Sequence, residues 1–424
     1  MGSKHPDELD FAGDYNLTGI VLQNHAGSGG NFDGAEGGVN IQSMVQELNI
    51  YEGITQAAVY GTIVLVDSTN LINNLPIQGT ERLFFKLSTP GTSKLEHIVD
   101  ASEATGHPFY IYKISNRRQP QQGTLVYTLH FGSREFMRNI RTKISKAYEG
   151  SLSSMVQEIL GDKDGLDSRK KLYYESTKNQ DKIVIPNLSP FNAIGLIAKR
   201  ALPYYTKGVG YYFYETTKGF YFQSWENMCA HYGSTERNPV ETYYYSPQNI
   251  TDDTIEDKTL HDLKAVESYK FINQQHDVAA AQALGTYGHR VISYNFFDKS
   301  FTENDYNYHT EFEMTKHADF TTGPRDPKKY AVSESFVDED DRSVSDYPES
   351  RISLLGTTQF THEGETGQYG IDVLEDGRKL GQAVAQQQQV LQGTCLKLVV
   401  KGQSYIEAGD VIEFKMRSID EKAT

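Results

Sequence analysis

The side chains that most often bind metal ions are scattered along this chain. The sequence has 12 His and two Cys, and none of them has the H-x-x-x-H or C-x-x-C spacing that gathers ligands. Five histidines share one region, but their separations fit no helical face: His261, His276, His289, His309 and His317. The sequence therefore predicts no metal site.

Two further segments resemble ion-binding loops in composition but lack the residues that such loops need. A phosphate-binding loop ends at a helix N-terminus, and its P-loop form adds a Lys followed by Ser or Thr. The glycines at 27–30 and 37–38 have Glu36 among them instead. The acidic run 338–341 lacks the central Gly and terminal Glu of a calcium loop. We predict a surface loop at the first, a solvated segment at the second, and no cofactor.

Catalytic patterns are equally weak. A glycosidase needs two carboxylates about 5–9 Å apart in a cleft, and among 56 acidic residues some pair will satisfy that by chance. No G-x-S-x-G motif is present, and Trp225 is the only tryptophan that could stack on a sugar. The aromatic stripe 211–222 could stack sugars or bases, but hairpin core and interface is the simpler interpretation. We predict no catalytic residue and no enzyme.

Composition bounds the class of protein. The 424 residues suffice for about three domains, and the net charge of −15 disfavours binding to nucleic acid. The N-terminus has no apolar signal-peptide core, and no run approaches the ~20 apolar residues of a membrane span. Cys229 and Cys395 could form one disulfide, although synthesis in a reducing cytoplasm is the better interpretation.

The elements that would position any site change in type along the chain. Alternating apolar residues between turn signals predict five or six short antiparallel strands up to about residue 136, ending with a Gln-rich turn at 118–122 and a strand at 124–131. Ser151 and Ser189 are positioned to cap two helices, the second starting at Pro190 and continuing to Ala201. A strand at 183–187, a hairpin at 211–222 and a strand at 288–295 follow the same rules. The polar stretch 311–365, a helix near 377–391 and a final strand pair at 396–400 and 411–414 complete the prediction.

Four segments, in order, resemble the central baseplate hub proteins of contractile-tailed bacteriophages. The first includes NIYEGITQ and GTIVLVDSTNLINNLPIQGTERL, within 39–91. The second, at 145–201, includes SKAYEGSLSSMVQEIL and YESTKNQDKIVIPNLSPFNAIGLIAKRA. The third is GTYGHRVISYNFFDKSFTENDYNY at 285–308, and the fourth is LKLVVKGQSYIEAGDVIEF at 396–414.

The resemblance implies a mainly β, α+β fold with two tail-tube-like antiparallel β-barrels, a mixed α/β middle domain and a polar inserted domain. The implied division is an N-terminal tail at 1–14, a first barrel at 15–138, the mixed domain at 139–238, a second barrel at 239–310 and 392–424, and the insertion at 311–391. Three such chains would form a ring that adapts a sixfold tube to a threefold spike. The implied partners are a second and third copy, the tail tube, a spike with an oligonucleotide/oligosaccharide-binding fold, baseplate wedge proteins and the tape-measure protein. DNA would pass through the channel unbound, in a virion tail baseplate assembled in the host bacterial cytoplasm.

Two departures from the family pattern and two alternatives stay open. No spike domain or lysozyme-like segment is evident, and the strand that usually closes the second barrel does not precede Thr424. We therefore expect spike and cell-wall enzyme on separate chains, and either a short barrel or one completed by another chain. The alternatives are the hub of a related contractile injection or secretion system, and a β-rich polysaccharide-binding or -hydrolysing tail protein.

Overall fold

The computed structural model describes fourteen stretches of the chain. They are residues 11–23, 38–74, 77–90, 98–102, 107–178, 180–205, 209–229, 239–245, 258–273, 278–295, 299, 301–312, 338–357 and 395–416. None of the helices in this described part has the length and hydropathy needed to cross a bilayer. The Gly-rich segment 27–37 and the predicted helix at 377–391 lie outside it.

The first unit is one eight-stranded antiparallel sheet. Its strands are β1 (Asn16–Gln23), β2 (Gly38–Asn40), β3 (Val45–Tyr51), β4 (Tyr60–Asp67), β5 (Arg82–Ser88), β6 (Val99–Asp100), β7 (Phe109–Gln121) and β8 (Thr124–Gly132), with a short helix α1 (Leu71–Asn74). They follow the order β2-β1-β5-β7-β8-β4-β3, and β6 pairs with β5. The predicted Gln-rich turn is wrong, because β7 continues to Gln121 and the turn is Gln122-Gly123.

The predicted closed barrel is not formed by the described strands, since β2 and β3 end the sheet without pairing to each other. Alternation in the sequence predicts which face of each strand is buried, but closure depends on which edges meet. The buried face is continuous all the same. Side chains of β1, β4, β5, β6, β7 and β8 share one apolar cluster that includes Ile20, Ile63, Phe85, Ile111 and Phe131.

Strand β4 shows how the sequence builds this face. Its burial alternates residue by residue along its whole length, as the period-two pattern predicts. Gly61 occupies one inward position, where a Cβ atom would lie 2.2 Å from the backbone oxygen of Asn49 and 2.3 Å from Cζ of Phe131. Only glycine therefore lets β3 and the Phe131 ring approach β4 so closely. Asp67 ends the strand, and its Oδ1 accepts the Thr69 N–H at 2.8 Å in the turn that follows.

The middle unit combines two small sheets with short helices. Its elements are α2 (Arg134–Arg141), β9 (Ile144–Ser151), α3 (Leu152–Gly161), β10 (Leu172–Tyr174), β11 (Gln180–Leu188), α4 (Pro190–Ala198), β12 (Tyr211–Glu215), β13 (Phe220–Ser224) and α5 (Trp225–Cys229). Strand β9 pairs with β11, and the other sheet has the order β10-β13-β12. One apolar cluster joins α3, α4 and the β12–β13 hairpin.

The helix predictions are largely confirmed. The Ser151 hydroxyl accepts the Ser154 N–H at 3.2 Å, so α3 starts where the capping residue predicts. Helix α4 starts at Pro190 but ends at Ala198, three residues before the predicted end, and Ser189 makes no side-chain cap bond. Ser189 is extended there (φ −66°, ψ 151°), and the fixed φ of Pro190 starts the helix without that bond.

The C-terminal region forms three small sheets. Its elements are β14 (Glu241–Tyr245), α6 (Lys258–Leu263), β15 (Val266–Asn273), α7 (Val278–Ala283), β16 (Gly288–Asn295), β17 (Phe301–Asn307), α8 (Tyr308–Phe312), β18 (Ile352–Thr357), β19 (Cys395–Val400) and β20 (Ile412–Met416). Strand β14 pairs in parallel with β20, β15 pairs antiparallel with β19, and the third sheet has the order β17-β16-β18.

One prediction for this region needs correction. Strands β19 and β20 were expected to form a pair, but each joins a strand more than 120 residues earlier in the chain. The segment between them can turn, but the backbone groups of β19 and β20 form their hydrogen bonds with β15 and β14 instead. The predicted exposed insertion at 311–365 stays a prediction; its described part includes β18, which pairs in parallel with β16. The division into six sequence domains stays a prediction.

Candidate functional site: the junction of the three units

The tip of the β12–β13 hairpin lies where the first unit, the middle unit and the C-terminal region meet. Thr216 and Gly219 close the tip through a hydrogen bond from the Thr216 N–H to the Gly219 carbonyl at 2.8 Å. A Cβ atom on Gly219 would lie 2.6 Å from the backbone oxygen of Lys171. The tip can therefore pack against the chain around Lys170 only because residue 219 is a glycine.

Glu215, the last residue of β12, links the first unit to the middle unit. Its Oε2 accepts the Val59 N–H at 2.9 Å and the Ser133 hydroxyl at 2.6 Å. Its Oε1 accepts a hydrogen bond from Nζ of Lys170. The side chain is fully buried, so these three donors replace the water that an ionised carboxylate would otherwise bind.

Lys170 is shared by two buried carboxylates. Its Nζ lies 3.5 Å from Oε2 of Glu135, and Oε1 of Glu135 accepts the Ser168 hydroxyl at 2.6 Å. Glu135 lies in the first turn of α2, where the helix dipole also favours a negative charge. We call Glu135, Lys170 and Glu215 the shared-lysine cluster. Two carboxylates and one ammonium carry a net charge of −1 when all three are ionised.

The pKa values of the cluster follow from this imbalance. Burial disfavours the charged form of Lys170, but Glu215 and Glu135 outweigh it and raise the pKa of the ammonium. Burial and the negative charge of Glu135 raise the pKa of Glu215 above its usual range. Burial acts the same way on Glu135, yet Lys170 and the Ser168 hydrogen bond hold its pKa below the usual range. The three groups interact strongly, so the cluster titrates as a unit.

A second set of carboxylates ties the C-terminal region to the other two units. Oε1 of Glu52 in the first unit accepts the Thr217 N–H at 2.6 Å, and its Oε2 accepts the Ala408 N–H at 3.2 Å. Burial, with a smaller contribution from the negative charge of Glu407, raises the pKa of Glu52. One side chain thus holds the backbone of two segments that are separated by almost 200 residues.

Glu407 makes the reciprocal link from the C-terminal region. Its carboxylate accepts the Thr216 hydroxyl at 2.7 Å, the Tyr221 hydroxyl at 2.8 Å and Nζ of Lys218 at 3.2 Å. Tyr221 belongs to a stack of rings on the hairpin, 5.2 Å from Tyr214. The turn after Glu407 lies on this stack, because a Cβ atom on Gly409 would lie 2.2 Å from the Tyr214 hydroxyl.

The C-terminal region also touches the first unit directly. The N–H of Thr89 donates to the Ser404 hydroxyl oxygen at 3.0 Å, and the N–H of Ser404 donates to the Thr89 hydroxyl oxygen at 2.9 Å. These reciprocal bonds join residues 315 positions apart and add a second attachment beside the Glu52 link.

The junction has paired carboxylates, but their environment differs from that of a glycosidase. Glu52, Glu215 and Glu407 each accept two or more hydrogen bonds from protein donors. A general acid or nucleophile must instead reach a substrate. Among the residues that the structure describes, no group of three His, Cys, Asp or Glu could hold a metal ion. These hydrogen bonds join the three units.

The residues that the sequence singles out lie elsewhere or have structural roles. His289 is buried and lies 2.7 Å from the Ser353 hydroxyl, while His276 and His317 are outside the described residues. Cys229 is buried, Cys395 is exposed, and both are free, so the disulfide left open by the sequence is not formed. The aromatic hairpin is core and interface, as predicted.

The junction itself is missing from the sequence predictions. Glu215 ends an otherwise aromatic strand, YYFYE, and a lone carboxylate there is the one local signal of a buried polar contact. Its partners Val59, Ser133 and Lys170 are far away in the chain, so spacing gives no hint of them.

Comparisons with known proteins find similar solved structures but no matching family. No family model matches the chain, and no curated protein matches it. The tail protein from Neisseria meningitidis MC58 is similar, with 10% identity, a TM-score of 0.47 and coverage of 97% of this chain and 88% of that chain. The 43 kDa tail protein of prophage MuSo2 from Shewanella oneidensis is also similar, with 10% identity, a TM-score of 0.48 and coverage of 96% of this chain and 89% of that chain.

A third neighbour comes from a secretion machine. A component of the type VI secretion system from E. coli has 9% identity and a TM-score of 0.29, with coverage of 56% of this chain and 57% of that chain. The neighbours named here are thus phage tail proteins and a component of a secretion system.

Proposed function

We propose that this chain is the structural hub of a contractile phage tail baseplate. In this role three copies form a ring around a DNA channel and adapt the sixfold tail tube to the threefold puncturing spike. The hub binds the tube, a spike with an oligonucleotide/oligosaccharide-binding fold, wedge proteins and the tape-measure protein. It is assembled in the host cytoplasm, acts in the virion and catalyses no reaction.

The observation that carries this proposal is the junction. Glu52 belongs to the first segment of the sequence resemblance and Glu407 to the fourth, and both accept hydrogen bonds from the same hairpin tip. Segments that resemble the two barrels of a hub are therefore held against one middle unit. A ring that transmits the force of contraction needs its units joined in this way, through short polar contacts shielded from water.

The charge and chemistry of the chain support the same role. A net charge of −15 suits the wall of a channel that DNA must pass without binding. The carboxylates nearest each other are buried and hydrogen-bonded to protein donors, which favours structure over the polysaccharide-cleaving alternative.

The test is the assembly state of the purified chain. Mass photometry, alone and with the tube and spike proteins of the same particle, should show trimers that form rings in negative-stain images. A chain that stays monomeric beside both proteins would contradict the proposal. A zymogram that shows glycan cleavage, lost on one carboxylate substitution, would favour the polysaccharide alternative.

A further inference from the structure

A basic cleft lies on the solvent side of the junction. It has a volume of about 110 Å³ and opens to solvent between β6, the start of β7, the chain before β10 and the hairpin tip. Five of its lining residues have basic side chains, in a protein with a large negative net charge: His107, Arg169, Lys170, Lys171 and Lys218. Charges of one sign that line a cleft focus the electrostatic potential there, which attracts a ligand of the opposite charge.

Contacts inside the chain neutralise only part of this charge. Glu215 and Glu135 together more than neutralise Lys170, and Lys218 lies 3.2 Å from Glu407. The one carboxylate in the lining, Asp100, lies 3.1 Å from Nζ of Lys86 outside the cleft.

Arg169 and Lys171 are the cations that remain. Both are exposed, and neither forms an ion pair with another described residue; Lys171 instead lies over the ring of Tyr173 at 4.3 Å. Burial lowers the pKa of His107, and the nearby charges of Lys170 and Arg169 lower it further against the opposing charge of Glu135. The cleft is therefore suited to a ligand with at least two carboxylates.

The C-terminal region displays a ligand of that kind. The acidic turn, residues 338–341, is exposed at every position. Asp338 shapes it, because its Oδ1 accepts the N–H groups of Asp340 at 2.9 Å and Arg342 at 3.0 Å. Arg342 anchors the base of the turn by stacking over Tyr347 at 4.0 Å.

The carboxylates of the acidic turn are available for a partner. Glu339, Asp340 and Asp341 form no ion pair with any residue that the structure describes, the cleft included. Their turn is pre-shaped, so binding would cost little conformational entropy.

We propose that the acidic turn of one copy binds the basic cleft of the next copy, with Glu339 and Asp340 facing Arg169 and Lys171. The contact joins two different surfaces of the same chain, and a head-to-tail contact of this type closes into a ring when its rotation permits. This inference rests on the proposed ring, and it names the surfaces that would hold neighbouring copies together.

The experiment is a charge swap measured by mass photometry over a range of concentrations. R169E/K171E and E339K/D340K should each raise the dissociation constant of the oligomer about tenfold or more, because each places like charges opposite one another. The combined four-site variant should recover most of the affinity, because the ion pairs are restored with reversed sign.

A matched control changes the same charges elsewhere. Arg117 and Arg118 are also exposed on the first unit, so R117E/R118E should leave assembly unchanged. Circular dichroism should show that all variants are folded, since every substituted side chain is exposed.

The outcomes separate this inference from the proposed function. The cleft contact would be wrong, and the ring would stand, if the wild type forms oligomers and the two single-surface variants form them with the same dissociation constant. The same conclusion would follow if the four-site variant recovered no affinity. If R169E/K171E lost binding to tube or spike but kept self-association, the cleft would serve another protein and the inference would be wrong. A wild-type chain that stays monomeric would overturn both proposals.

Discussion

The first unit and the C-terminal region both consist mainly of strands, but they differ in how far the apolar side chains of those strands are buried. The first unit places side chains of six strands in one cluster around Phe131, which is fully buried. The described part of the C-terminal region has a small cluster around Tyr287 and Tyr308, and its apolar side chains are often exposed. Leu354 on β18 is 78% exposed, and Phe301 on β17 is 61% exposed.

Exposed apolar residues of the C-terminal region lie together on one face of a sheet. In the register of β17, β16 and β18, Leu354 stands beside Ile292, and Tyr294 stands beside Phe301, on one face of the sheet. An exposed apolar face of this kind marks an interaction surface more often than a defect. Within the described residues, the first unit therefore covers its apolar face with its own strands, whereas the sheet of β17, β16 and β18 leaves an apolar face exposed.

The same substitution in the two regions should separate them most clearly. Phe131→Ala removes a buried ring and should lower the free energy of unfolding by about 3–5 kcal/mol. Phe301→Ala removes an exposed ring and should change it by no more than about 0.5 kcal/mol. Urea titrations of the two variants measure both values. Equal losses would break the comparison, since they would mean that the C-terminal face is already packed within the single chain.

The junction tests whether the two regions depend on the middle unit. Lys170→Met leaves Glu215 and Glu135 buried without a counter-charge and should cost about 3–5 kcal/mol. The matched control is Lys182→Met, whose partner Glu149 lies 3.1 Å away with both side chains about half exposed. Such a surface pair should contribute at most about 1 kcal/mol.

A second variant identifies the cause of that loss. Adding Glu215→Gln to Lys170→Met removes one of the two buried negative charges, and should recover part of the stability. If the double variant were no more stable than Lys170→Met, lost packing of the lysine chain would explain the effect better than charge.

The smallest expected effect is a pH dependence at the Glu52 link. Burial raises the pKa of Glu52, so the fold favours its protonated form. Its contribution is therefore fully present below the usual pKa of a glutamate and is lost as pH rises through the raised value. The glutamine of Glu52→Gln cannot titrate. The free energy of unfolding of the wild type should therefore increase relative to that of the variant as pH falls through that window.

Denaturant titrations of both proteins at several pH values measure this difference. Glu47→Gln, at an exposed position of β3 shortly before Glu52, supplies the background for an amide substitution. Limited proteolysis after residue 395 reports whether the loss is local to the C-terminal attachment. A difference that stays constant over the whole pH range would contradict the assigned role of Glu52.

Local patterns predicted much of the fold. Ser151 and Pro190 marked the starts of α3 and α4, and the aromatic hairpin has the predicted strands because capping, proline geometry and alternation act within a few residues. The pairing of β19 and β20 was wrong for the opposite reason. Each satisfies its backbone groups with a strand that the sequence places far away, and no local rule selects that partner.

The sequence alone determined the class of elements, the absence of metal-ligand spacing, the acidic charge and the resemblance to baseplate hubs. Tertiary structure decided that the sheet of the first unit has unpaired ends, and that Glu52, Glu215 and Glu407 converge on one hairpin tip. The physical reason is the range of the forces involved. Backbone propensity and side-chain alternation are set by neighbours in the chain, whereas a buried carboxylate is stable only where folding brings donors to it from distant segments.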